Sequence, residues 1–144
     1  MNLQYIHLIP EEAPPPLAHT KSCAVIITEV SASESWRERT TEWLVQIGCL
    51  YAVAWGRECE KWHDSVDGAN LREFDFGVIP EERFVMTTWH ENDALREAFW
   101  FAGQCAFHPP ETLTRTIILH VSGEPREVAV LQEFRESQTR PNAD

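Results

Sequence analysis

The stretch Cys23-Ala24-Val25-Ile26-Ile27-Thr28-Glu29-Val30 decides the fold. It is a nearly continuous apolar run rich in β-branched residues. A strand with one face in water alternates, whereas a strand buried on both faces reads like this one. Both faces of a sheet are covered when helices pack on each side, which is the habit of parallel sheets. The residues that follow are helical in pattern. Ser31-Ala32-Ser33-Glu34 has the form of a capping box, with Ser31 as N-cap and Glu34 three positions on. Trp36, Thr40, Trp43, Leu44 and Ile47 then recur at helical spacing, and Gly48 ends the run.

The same alternation continues toward the C-terminus. Leu50-Tyr51-Ala52-Val53-Ala54-Trp55 is a second strand, broken by Gly56. Residues 57–66 predict a shorter helix with Cys59, Trp62, His63 and Val66 on one side, and Asp67-Gly68-Ala69-Asn70 is a turn signal. Phe84-Val85-Met86-Thr87-Thr88-Trp89 is a third strand, and Thr88 to Glu91 has the form of a second capping box. Leu95, Ala98, Phe99, Ala102 and Cys105 form a core-facing stripe that Trp100 and Phe101 widen, so helix 92–105 is expected to be the most buried. Thr116-Ile117-Ile118-Leu119-His120-Val121 is a fourth strand. Pro125 opens a last helix, on which Val128, Leu131 and Phe134 recur. The order βαβαβαβα predicts a single α/β domain with a four-stranded, mainly parallel sheet. Helices on both faces make it a flavodoxin-like or Rossmann-like three-layer fold. Its expected extent is residues 23–137. Residues 1–22, with Pro10 and Pro14-Pro15-Pro16, are expected as an extended arm in which Leu3 to Ile9 could form a short edge strand. Residues 138–144 read as a polar tail.

Charge narrows the function classes. The net charge of −11 argues against nucleic-acid binding, which rests on Lys and Arg neutralising phosphates, and against docking on anionic lipid. Eleven Asp/Glu against four Lys/Arg fall within residues 58–97, a local −7. No apolar run approaches the ~20 residues of a membrane span, and the start lacks the pattern of a signal peptide. The four cysteines form no CxxC pair, so a cytoplasmic protein with reduced thiols is expected.

Residues 23–31 and the run Thr87-Thr88-Trp89-His90-Glu91-Asn92-Asp93-Ala94-Leu95-Arg96-Glu97-Ala98-Phe99-Trp100-Phe101-Ala102 resemble those of a bacterial family of small α/β proteins of unknown function. The resemblance covers residues 20–137. It implies a bacterial source and no particular activity.

Candidate chemistry follows from where ligands bind in open α/β sheets, beyond the carboxyl ends of the strands. Glu29, Trp55, His90 and Glu91 fall there, and His90 could act as a general base oriented by Glu29 or Glu91. The plainer account is that Thr88 and Glu91 cap a helix and His90 is exposed. Cys59-x3-His63 and Cys105-x2-His108 could share a metal, but neither spacing is a known zinc signature, so no metal and no cofactor are expected. No G-x-S-x-G, G-x-G-x-x-G or P-loop pattern is present. The acidic segment, carrying Asp64, Asp67, Asp75 and Glu82 among Trp62, Phe74, Phe76 and Trp89, could dock a basic protein. Two functions stay open. One is a non-enzymatic acidic protein-binding module (regulatory, immunity or antitoxin-like). The other is a small enzyme or ligand-binding domain using the strand-end cleft. The oligomeric state stays open too.

Overall fold

The structure is a computed structural model and describes residues 2–139. Five strands form one sheet: β1 (Asn2–Leu8), β2 (Ser22–Thr28), β3 (Cys49–Gly56), β4 (Met86–His90) and β5 (Arg115–Val121). Their order is β1-β5-β2-β3-β4, and every neighbouring pair is parallel. The expected α/β class and parallel sheet hold. The count of four strands does not, because β1 pairs along its whole length with β5, from Asn2 beside Arg115 to Leu8 beside Val121. Its residues are mostly half-buried, as an edge strand requires, and so lack the unbroken apolar run that marks β2 and β5.

Residues 9–21 connect β1 to β2 without a helix. Indole N–H groups of Trp36 and Trp43 donate to the carbonyls of Glu12 and Pro15 and hold this segment against the first helix. Arg115 anchors its far end. The buried guanidinium donates to Ser22 Oγ and to the carbonyls of Ala18 and Ile47, at 2.8, 2.8 and 3.0 Å. A buried cation without such partners would cost several kcal/mol, at the order of ~3 or more. Of the polar tail 138–144, residues 140–144 lie outside the described residues.

Among the described residues four helices cover the sheet: α1 (Glu34–Gln46), α2 (Cys59–Glu73), α3 (Leu95–Gln104) and α4 (Glu127–Gln138). One core joins α1 and α2 to Ala24, Ile26, Ala52, Ala54, Ile117 and Leu119. The other joins α3 and α4 to Val25, Ile27, Val53 and Ile118 on the opposite face. The period-2 alternation of strand side chains thus divides each apolar run between two cores. In the first, Trp36 and Trp62 meet edge to face at 5.7 Å, worth about 1 kcal/mol beyond the area they bury. In the second, Phe99 meets Phe134 at 5.3 Å. Among the described residues no helix is long and apolar enough to cross a membrane.

Local expectations shift in four places. Ser33, not Ser31, caps α1, its hydroxyl accepting from the Trp36 N–H. The segment from Thr88 to Glu91 caps nothing, because Thr88 lies in β4 and α3 begins at Leu95 with no side-chain cap. Helix α2 runs through Asp67-Gly68-Ala69-Asn70 instead of turning there. The buried Asn70 amide finds its partners outside the helix, accepting from the Val85 N–H and donating to the Arg83 carbonyl. That bond sets the entry into β4. Helix α3 is not the most buried, since it buries three residues against six in α1, and Trp100 and Phe101 stay half-buried. Two glycines are required by close approach. A Cβ on Gly48 or Gly56, each at φ +102°, would lie 2.3 Å from a carbonyl oxygen of Thr20 or Thr28.

Candidate functional site

Strands β2 and β5 are neighbours, yet the chain leaves them for helices on opposite faces, α1 after β2 and α4 after β5. Such a switch point opens a crevice at the carboxyl ends. Glu29 lies just beyond β2, His120 near the end of β5, Tyr5 on β1 and Arg126 at the start of α4. The four side chains form one chain of hydrogen bonds. The backbone N–H of Arg126 donates to the Tyr5 oxygen at 3.0 Å, and the phenol in turn donates to His120 Nδ1 at 2.6 Å. That leaves His120 Nε2–H to donate to Glu29 Oε1 at 2.5 Å. The Arg126 guanidinium also donates to this carboxylate oxygen. His7 stands beside the group and donates to the Ser122 carbonyl at 2.8 Å.

This geometry has the outline of a nucleophile–base–carboxylate relay, and its electrostatics decide what it does. His120 is fully buried, with both ring nitrogens engaged. Burial pushes the Tyr5 phenol above its ordinary value, and the Arg126 N–H and charge only partly offset it. An activated hydroxyl needs the opposite shift. Burial also works against charge on Glu29, but the hydrogen bonds from His120 and Arg126 prevail and hold its carboxyl below the usual range. The chain therefore joins a fixed carboxylate to three other elements and ties β1, β2, β5 and α4 together.

Of the strand-end residues expected from sequence, Trp55 and His90 lie side by side in the β3–β4 register. His90 Nδ1–H donates to Asp93 Oδ2 at 2.9 Å, and its Nε2 accepts from Thr88 Oγ1 at 3.0 Å. The Trp55 indole donates to the Asp93 carbonyl at 2.7 Å. The carboxylate partner of His90 is thus Asp93, while Glu91 is exposed and Glu29 faces His120. Sequence reasoning missed Tyr5, His120, Arg126 and Asp93. One signal was present: a histidine inside an apolar run that reads as buried on both faces must have a partner.

The cysteine and histidine pairs have separate surroundings. Cys23, Cys49 and Cys59 are buried, and burial raises all three thiols, Cys49 to about 12. Cys105 is exposed. His63 stacks on Trp89 with ring centroids 4.5 Å apart, whereas buried His108 donates to the Phe84 carbonyl. Among the described residues no group of three or more His, Cys, Asp or Glu side chains is placed to hold a metal ion.

Two of the acidic candidates, Asp64 and Asp67, lie on α2 beside edge strand β4, and the other two fall in the segment that leads into it. On α2, Asp64 accepts from His63 Nδ1–H, and Asp67 accepts from Thr87 Oγ1 of β4 at 2.9 Å. Their side chains are 71% and 46% exposed. Trp89 is 41% exposed on β4. Asp75 and Phe76 sit in the loop that leads to β4, both with left-handed backbone at φ 52° and 60°. For a phenylalanine this is a strained conformation, and it leaves the ring 69% exposed. Glu82 lies in the short helical turn Glu81–Arg83. Ile79, Glu81, Phe84, Met86, His108, Pro109 and Pro110 line an open groove of about 360 Å³.

A family model described as "Domain of unknown function (DUF7684)" matches residues 3–137. No curated protein and no solved structure matches the chain.

Proposed function

We propose, for a chain that belongs to the family described as Domain of unknown function (DUF7684), a non-enzymatic role as an acidic protein-binding module that docks a basic partner. One observation carries this reading. Exposed Trp89 lies on edge strand β4 and exposed Phe84 just before it, with Asp67 of α2 bonded to Thr87 of that strand and Asp64 bonded to His63 against Trp89, while Asp75, Phe76 and Glu82 fall in the segment that leads into β4. Aromatic side chains supply apolar contact at small entropic cost, and charge of one sign steers an opposite partner. The same charge disfavours nucleic acid and anionic lipid as partners. A bacterial cytoplasm, where thiols stay reduced, suits four free cysteines.

A small-ligand or catalytic role at the strand carboxyl ends is the second reading. It draws on the Tyr5–His120–Glu29 chain at the switch point, with Trp55, His90 and Glu91 nearby. The raised Tyr5 phenol and the fully engaged His120 speak against it.

The test begins with a protein captured from host extract on the immobilised chain and then purified. Its association rate is measured from about 50 mM to about 500 mM salt, across which screening shortens from ~14 Å to ~4 Å. The expected result is a fall of about tenfold, carried by the on-rate. Replacing Asp64, Asp67, Asp75 and Glu82 together by their amides is expected to reproduce the fall without lowering the unfolding temperature. An on-rate indifferent to both salt and these changes overturns the reading.

A further inference from the structure

We propose that the outer edge of β4 accepts an added strand from a basic partner, an extended segment in which basic and apolar side chains alternate. The inference rests on the acidic-edge reading above and specifies how the partner is held.

The first support is the state of the edge. β4 ends the sheet, and among the described residues no strand pairs with its outer side. The backbone groups there are a template for another chain, and proteins usually blunt such edges with lysine, proline, a bulge or a covering segment. Met86-Thr87-Thr88-Trp89-His90 contains no lysine and no proline, and its register with β3 is unbroken. The opposite edge strand, β1, also lacks lysine and proline, so what distinguishes β4 is exposed Trp89 with Asp67 beside it.

The second support is what lies on each face of that edge. Thr87 and Trp89 project toward α2, where they meet Asp67 and His63. A strand laid beside β4 would bring every second side chain over Trp89 and close to the carboxylates of Asp64 and Asp67. That environment selects a cation, through charge and through the face of an indole. Met86 projects to the other face, into the groove lined by Ile79, Phe84, Pro109 and Pro110. The intervening side chains would enter that groove, whose lining is apolar apart from Glu81 and His108 and so favours apolar residues. His108 there is 2% exposed and leaves Nδ1 without a partner. Period-2 geometry thus converts the two faces of the edge into a recognition pattern, main-chain bonds giving affinity and alternate side chains giving specificity.

Charge also selects among occupants. A second copy of this chain would place one segment of charge −7 against another, so edge-to-edge self-pairing is opposed. A basic segment is not. Trp89 is already fixed by its contact with His63, so little ordering remains to be done on binding.

The test uses the full chain and synthetic peptides of about seven residues, the usual length of a strand. One alternates lysine and valine. A second has the same composition in two blocks. Two more are alternating peptides N-methylated at every second residue, in the two possible phases. Binding is followed by fluorescence anisotropy, and hydrogen exchange is measured at Thr87, Thr88 and Trp89. The alternating peptide is expected to bind at least about tenfold tighter than the block peptide and to protect the outward-pointing amides among these, either Thr88 or the pair Thr87 and Trp89. One methylated phase should lose about tenfold in affinity and the other should not, because successive N–H groups of a strand point to opposite edges. Trp89→Ala should weaken binding by about tenfold while moving the unfolding temperature by no more than a few degrees. Equal binding by the alternating and block peptides, or by both methylated phases and their parent, overturns strand addition while leaving a salt-sensitive acidic docking face intact. Absence of any peptide binding also overturns it, and the on-rate experiment then decides the broader reading alone. Sedimentation showing a dimer that Trp89→Ala dissolves would replace the basic partner with a second copy.

Discussion

The two edges of the sheet were built to different ends. β1 has seven residues, pairs with β5 throughout, and sends Tyr5 and His7 into bonds with His120 and Ser122. β4 has five residues, and its outermost large side chain, Trp89, stands 41% exposed beside two carboxylates. Polar groups are costly to bury, and at the first edge the Tyr5 hydroxyl and the His7 ring are satisfied within the fold. At the second, exposed apolar and acidic groups are left side by side. The contrast teaches that ionisable side chains in this domain fall into two classes. Those at the switch point bond across four elements of the fold, and those along β4 make local bonds while Asp64 and Asp67 stay 71% and 46% exposed.

The largest effect that would break this contrast is expected at His120. His120→Ala removes a fully buried ring and takes one hydrogen-bond partner each from the Tyr5 hydroxyl and the Glu29 carboxylate, which keep Arg126. A loss of about 3 kcal/mol in unfolding free energy is expected, measured by urea denaturation. A loss below about 0.5 kcal/mol would mean that the β1 edge is held by its backbone ladder alone.

Glu29 gives a smaller effect and a pH signature. Its carboxyl is lower in the folded state than its ordinary value, so the sign follows from linkage. The stability it supplies is fully present above the unfolded carboxylate pKa, about 4.3, and is lost as pH falls through the lower folded value. Glu29→Gln should lower stability at pH 7 by about 1 kcal/mol, discounted for a side chain one-third in solvent. It should also flatten the acid limb of the pH–stability curve. If that limb is unaltered, Arg126 and His120 do not act on Glu29 as the geometry implies.

At the other edge the stability effect should be the smallest. Trp89→Ala is expected to change unfolding free energy by about 1 kcal/mol or less, since the residue is 41% exposed at the sheet edge. A cost of several kcal/mol would make Trp89 a core residue of the α2–β4 junction and remove the contrast between the edges.

How much of this was legible beforehand differs by element. The strands β2, β3 and β5 were visible as apolar runs, because a strand covered on both faces leaves no polar positions. β1 was visible only as a possibility, since Gln4 and His7 interrupt its apolar residues and its partner lies more than a hundred positions away. The limits of α2 were misread because Gly68 and Asn70 usually mark a turn, and only the bond from Asn70 to Val85 explains why the helix continues. Glu29 was singled out correctly as a strand-end residue, but its partner was sought at His90.

The sequence by itself determined the layer order: local periodicity reports how each segment is buried, and alternating strands and helices can close only as a covered parallel sheet. The tertiary structure alone decided which strand lies at each edge and which acid meets which histidine. Tyr5 and His120 are 115 positions apart, and Glu29 and His120 are 91 apart. A hydrogen bond reaches about 3 Å and carries no trace in local spacing, so such pairings exist only once strand order has brought the segments together.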